Sequence, residues 1–267
     1  MTGFARARDG RRLYYEVGGR DDGAPLLLIR GLGRSASYWL DFRRHLEEER
    51  RVVVFDNRGV GRSDTPDGWW STADMADDTA LVLRAAGVER ADVFGISLGG
   101  MIAQQLALRH PHRVDRLVLA CTTPGGEATV PISRPAALAL ARTARMTPRD
   151  AQATNARWVL SPEYLERHPE IVDVWAAIAE REPKSVRGLL GQILAGARHD
   201  AWRLLSHVPH ETLVLTGDAD RLISPVNSER IASRIPRARL DHLRGAGHDF
   251  PTERADETAE RVLAFFS

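Results

Sequence analysis

Residues 93–101 read VFGISLGGM, a serine bracketed by glycines inside an otherwise apolar stretch. ADVFG (91–95) reads as a short buried strand and LGGMIAQQLALRH (98–110) as a helix, so Ser97 falls on the corner between them. A strand that turns this sharply into a helix brings backbone against backbone, and a side chain at Gly95 or Gly99 would collide with the neighbouring element. The turn leaves the Ser97 Oγ exposed at the carboxyl edge of a sheet, in a strained conformation above a helix N-terminus. The N–H of Leu98 points out of that terminus and favours a developing negative charge. The geometry serves a nucleophile; the other reading of the pentapeptide is a turn whose serine only caps.

The 267 residues suffice for one large α/β domain with an insertion. With 37 basic against 36 acidic residues, the net charge of +1 gives no field to attract nucleic acid or an anionic membrane. One cysteine, Cys121, excludes an internal disulfide. No stretch approaches the ~20 apolar residues of a membrane span, and the first residues carry no apolar signal region. The expectation is a soluble cytoplasmic protein with no nucleic-acid or membrane partner. Lys184 is the only lysine, the other basic residues being arginines.

Outward from the corner, apolar runs alternate with helical patterns. Strands are predicted at 11–17, 25–30, 51–56, 91–95, 116–121, 212–217 and 238–243, several as continuous Val/Leu/Ile runs suited to a parallel sheet buried on both faces. Between them, Ser71 to Ala86 spaces Met75, Thr79, Val82, Leu83 and Ala86 on one helical face, with Ser71 or Thr72 to cap and Gly87 to end it. The class is α/β. Strand signals vanish between Thr122 and Pro209, where Pro- and Gly-punctuated helices take over, one of them from Lys184. Residues 1–121 and 210–267 are therefore expected to form a discontinuous core, and 122–209 an inserted helical cap.

Gly95, Ser97 and Gly99 match the G-x-S-x-G nucleophile elbow, and by it the chain resembles the α/β-hydrolase superfamily. The resemblance implies a mostly parallel, doubly wound sheet with a helical cap roofing the pocket. A serine hydroxyl needs a base within hydrogen-bond reach, and the base an orienting carboxylate. Of nine histidines, His248 stands apart: it follows the last strand in LRGAGHDFPTE, the position the resemblance gives to the base. After the penultimate strand, TGDADRLISP offers Asp220 by the family's G-x-x-D pattern, with Asp218 as runner-up and a turn role open for either. The order Ser97, Asp220, His248 is the one expected of the superfamily. The resemblance also assigns the Leu32 N–H as the second oxyanion donor, beside Leu98.

Arg30 departs from the pattern, which usually has His before Gly31. It either satisfies loop carbonyls or pairs with an acid, or it reaches the pocket and binds a substrate carboxylate. DNRGVGRSD (56–64) matches a structural turn of the superfamily and lacks the Lys-Ser/Thr ending of a phosphate loop. His110 with His112, and His207 with His210, lack companion ligands, so no metal is expected, and Cys121 reads as a small buried residue. Trp158, Trp175 and Trp202 fall in the cap, as pocket lining or packing.

The resemblance is strongest to small carboxylesterases and enol-lactonases. It implies cleavage of a small ester or lactone through an acyl-enzyme, with no cofactor. Carbon–carbon bond hydrolases, which often carry Asn before the serine where this chain has Ile96, cofactor-free perhydrolases, and a non-catalytic receptor on the same fold are the alternatives.

Overall fold

The computed structural model describes residues 1–7, 10–183 and 185–267; Lys184, where one of the sequence-predicted helices was to open, lies outside the described residues. One sheet carries strands β1 (Thr2–Arg6), β2 (Arg12–Gly19), β3 (Pro25–Ile29), β4 (Arg51–Phe55), β5 (Ala91–Ile96), β6 (Val114–Ala120), β7 (Thr212–Gly217) and β8 (Ala238–Leu243). Their order is β1-β2-β4-β3-β5-β6-β7-β8. The pairs at the β1–β2–β4 end are antiparallel and all others parallel. The strands read from apolar runs are all present. β1 is an addition: TGFAR buries only Ala5, so it carries no apolar run and is held as an edge strand by its ladder to β2.

The helices are α1 (Leu40–Glu47), α2 (Thr72–Ala85), α3 (Leu98–Arg109), α4 (Arg134–Arg142), α5 (Pro148–Val159), α6 (Pro162–Arg167), α7 (Ile171–Arg181), α8 (Val186–Ala197), α9 (Pro225–Arg234), α10 (Phe250–Glu253) and α11 (Ala255–Phe266). The Ser71 hydroxyl accepts from Asp74 N while the Asp74 carboxylate accepts from Ser71 N, a reciprocal cap that fixes where α2 starts.

Alternation along the strands sorts the core into two layers. Leu27, Ile29, Val53 and Phe55 face α2, α3 and α9; Leu26, Leu28, Val52 and Val54 face α1 and α11. Burying each such side chain contributes about 1.5–3 kcal/mol, against about 0–1 kcal/mol for an exposed ion pair, so the sandwich and not the many surface arginine pairs holds the fold. At the amino edge of the sheet, Arg50 and Arg116 both pair with buried Asp92 and donate to carbonyls at the end of α11, fastening the last helix to the strands.

Chain order reverses at β3, with β4 on one side and β5 on the other, so the carboxyl ends of β3 and β5 flank a topological switch point. Between β6 and β7 the chain forms α4 to α8, whose small apolar cluster joins Ala156, Leu160, Ile171, Val172 and Trp175 to Tyr38. α8 meets the strand-side loops backbone to backbone: a Cβ on Gly59, whose φ is 80°, would lie 2.6 Å from the Gly188 Cα. Among the described residues, no helix is long and apolar enough to cross a membrane.

Beyond the end of α8, His199 is buried in a closed set of hydrogen bonds. Gln104 donates its amide N–H to the Thr123 carbonyl at 3.0 Å, so its Oε1 faces His199 Nε2 at 3.3 Å and that nitrogen carries the proton. Nδ1 then accepts from the Thr72 hydroxyl at 3.0 Å. The ring is satisfied neutral, and burial pushes its pKa from 6.5 down to about 4. Between those values the unfolded chain holds the proton and the folded one does not, so stability falls as pH drops. From pH 6.5 to 4 this group alone removes up to about 3 kcal/mol. Urea titrations should show a shallower loss of stability over that interval for His199→Gln than for the parent; identical slopes would contradict the assignment.

Candidate active site

The corner after β5 is strained in the way its sequence demands. Ser97 has φ 58° and ψ −122°, a region that non-glycine residues rarely adopt. A Cβ on Gly99 would lie 2.0 Å from the Ile29 carbonyl oxygen, and one on Gly95 would lie 2.4 Å from the Gly99 carbonyl oxygen. Only glycine lets the first turn of α3 lie against the end of β3. Leu98 is the first residue of α3, so its N–H has no acceptor within the helix.

The loop after β3 passes beside the serine: a Cβ on Gly31 would come within 3.6 Å of the Ser97 Oγ. Among the described residues the Leu32 N–H donates to no protein group. The loop is held from the helical segment, where Gln192 on α8 accepts from Gly33 N at 2.9 Å and donates to the Arg58 carbonyl at 2.9 Å. Gln192 is wholly buried. Nothing in its local sequence marks it, because its partners lie more than a hundred residues upstream.

Asp220 and His248 meet over the carboxyl ends of β7 and β8. His248 Nδ1 lies 2.7 Å from Asp220 Oδ2, while Asp220 Oδ1 accepts from Leu222 N at 2.8 Å and Ile223 N at 2.9 Å. They are 8% and 5% exposed, respectively. Asp218 is turned elsewhere, accepting from Gly245 N and closing the loop before the histidine. The His248 loop is also tied to the helical segment: Asp249 N donates to the Val159 carbonyl at 2.7 Å, and Glu253 accepts from Ser161 N and Gly247 N. Burial raises the Glu253 carboxyl above the usual carboxylate range, against the lowering effect of those donors.

Arg30, 2% exposed, forms a bidentate pair with Asp249 at 2.8 and 2.9 Å, and its Nη2 also donates to the Tyr38 carbonyl at 2.8 Å. Its guanidinium stacks on Trp39, 4.6 Å from the ring centroid. Burial alone would raise the Asp249 carboxyl; the Arg30 charge outweighs it and holds the pKa low. The partner that the sequence could not name is therefore the residue directly after His248.

The turn at 56–64 is a scaffold of the same kind. Buried Asp56 accepts from Ala36 N at 2.8 Å and from Arg62 N at 2.9 Å, and Asn57 donates to the Arg30 carbonyl at 3.1 Å. Cys121 lies beneath the His–Asp pair, and burial pushes its thiol well up. The ligand atoms of Cys121, Asp220 and His248 fall within 4.8 Å of one another, but the His and Asp are already joined by a hydrogen bond and the thiol is held protonated, which suits a hydrogen-bonded pair better than a cation. Of the two histidine pairs, His110 faces Asp77 and His210 faces the Pro111 carbonyl. Trp158, Trp175 and Trp202 do not line the cavity described next.

Ser97 and His248 line one cavity of about 270 Å³. Its floor comes from the loops after β3, β5 and β8, and its opposite wall from α4, α5 and α8. Chemically, its lining joins a hydroxyl on a strained corner to an imidazole oriented by a carboxylate, with the helix N-terminal amide of Leu98 next to the serine in the chain.

A model of the alpha/beta hydrolase fold family matches residues 24–255. A poly(3-hydroxyalkanoate) depolymerase from Ectopseudomonas oleovorans is 32% identical over 90% of this chain and 83% of its own length. A 2-hydroxymuconate semialdehyde hydrolase from Pseudomonas sp. strain CF600 is 31% identical over 92% of this chain and 87% of its own. The crystal structure of a hydrolase from Pseudomonas aeruginosa PA01 superposes with a TM-score of 0.85 at 30% identity, covering 100% of this chain and 98% of that one. The chain is an alpha/beta hydrolase and belongs to that fold family.

Proposed function

We propose that the protein is a serine hydrolase that cleaves a small carboxylic ester or lactone through an acyl-enzyme. The observation that carries this reading is the 2.7 Å contact with Asp220 made by His248 Nδ1, on a histidine that lines the same cavity as Ser97. With Nδ1–H held by the carboxylate, the other ring nitrogen is free to take a proton. Ser97 Oγ attacks the carbonyl carbon and its proton passes to His248 Nε2. The oxygen that becomes negative is met by the Leu32 and Leu98 amides. His248 returns the proton to the departing alcohol, and water then repeats the attack on the acyl-enzyme. In this reading residues 122–209 act as a cap over a core of 1–121 and 210–267, and no cofactor takes part.

A second reading is hydrolysis of a carbon–carbon bond, supported by the relative named 2-hydroxymuconate semialdehyde hydrolase. The buried apolar Ile96 beside the nucleophile supplies no polar group for such a substrate and favours the ester.

Arg30 is read here as a structural tie, not a substrate ligand, because its Nη atoms are engaged by Asp249 and the Tyr38 carbonyl. Removing one member of a buried pair costs about 3–5 kcal/mol. Arg30→Met should therefore lower thermal stability and reduce turnover of ethyl hexanoate and of monoethyl adipate by the same factor; a loss confined to the anionic ester would return Arg30 to the substrate.

Ser97→Ala should lower kcat by up to ~10⁶ on any ester the parent cleaves, and abolish labelling by a fluorophosphonate. Turnover near the parental level in the purified variant would sink the reading. Asp220→Asn should cost ~10⁴ in kcat by allowing the wrong ring tautomer. Asp218→Asn should leave the rate near that of the parent, and the reverse ranking would exchange their roles.

A further inference from the structure

We infer that Arg34 determines specificity, and that the cavity takes an ester or lactone whose acyl or alcohol part carries a carboxylate. The inference rests on the serine-hydrolase reading above and adds the charge of the substrate to it.

Arg34 lines the same cavity as Ser97 and His248. Its Cζ lies 4.3 Å from the Tyr38 ring centroid and 3.9 Å from that of Trp175, both buried. The two rings hold the guanidinium in place, and its N–H donors are the groups that can bond an anion. They are not all engaged: Nη1 is buried, and among the described residues it has no hydrogen-bond partner. The cavity's own carboxylates are otherwise engaged. Asp249 is taken by Arg30, and Glu182 accepts from the Ser35 hydroxyl at 2.7 Å and the Ser37 hydroxyl at 2.6 Å. Burial pushes the Arg34 pKa down, and the opposing pull of Tyr38 and Asp249 does not restore it.

Across the cavity, the opposite wall holds a second buried polar atom without a partner. Gln152 on α5 lines the cavity, and its buried Oε1 has no partner among the described residues. Turned by half a rotation, its amide offers NH₂ in the same place. A guanidinium and an amide, each with a buried atom lacking a partner, are groups that bind carboxylate oxygens. Leaving such groups without partners costs free energy in the empty protein, and a bound anion removes that cost. The same lining carries an apolar set, Leu140, Met146, Leu189 and Ile193, that suits the carbon chain joining that carboxylate to the scissile bond.

The test compares ethyl hexanoate with monoethyl adipate, the same six-carbon acyl chain ending in a methyl group or a carboxylate. For Arg34→Met, kcat/KM on monoethyl adipate should fall about 10- to 100-fold, the loss expected for a charge-assisted pair, while ethyl hexanoate stays within about 3-fold. Arg34→Lys should recover part of the anionic rate through its point charge without the fork. Equal losses on both esters would overturn the inference, and the neutral ester reports whether the variant folds. If the parent cleaves neither ester, adipate binding to Ser97→Ala by calorimetry still decides: weaker binding when Arg34→Met is added sustains the anion site, and equal or absent binding overturns it. Failure of hydrolysis and failure of the anion site are thereby read separately.

Discussion

The approach of the first turn of α3 to the end of β3 is the contact on which the rest of the molecule depends. A Cβ on Gly99 would lie 2.0 Å from the Ile29 carbonyl oxygen, so the two backbones touch without intervening side chains. That contact forces Ser97 to φ 58°, brings the free N–H of Leu98 to the sheet edge, and sets the loop after Ile29 beside the hydroxyl. Strain of this kind costs of order 1–3 kcal/mol and persists only where the surroundings over-determine it. Here the surroundings are β5, paired on both sides inside the parallel sheet and wholly buried.

Around this contact buried ion pairs fasten loops, as the Asp92 pairs fasten α11 at the amino edge of the sheet. Arg30 with Asp249, Arg62 with Asp56 and Arg58 with Asp78 each fasten a loop near the carboxyl ends of the strands. Loops carry few apolar contacts of their own, so donor-rich arginines supply what packing does not. The loops are tied in turn to the helical segment by Gln192, Val159 and Ser161, which makes the roof and the floor of the cavity one hydrogen-bonded unit.

Much of this was legible in the sequence because it is local. The Ser97 corner is written in five residues, the buried strands in their Val/Leu/Ile runs, and α2 in its cap and spacing. What was not legible is pairwise and distant. β1 has no apolar run and exists through its ladder to β2. Asp249 stands next to His248 in the chain, yet its partner is 219 residues away. Gln192 looks like any polar residue on an amphipathic helix until Gly33 and Arg58 are brought to it. Arg34 is one arginine among thirty-six, and only the fold reveals that it lacks an acid partner among the described residues.

The glycine contact between residues 59 and 188 bears on how selectivity can be altered by directed evolution. Side chains added on that face of α8 have no room, since a Cβ on Gly188 would lie 2.0 Å from the Gly59 carbonyl oxygen, and one on Gly191 would lie 2.1 Å from the Trp70 ring. Libraries that randomise this seam would be filled with misfolded members. Diversity is better spent at Leu140, Met146 and Asn155, which border the cavity from α4, the turn after it and α5, where neighbouring side chains rather than backbone set the limits.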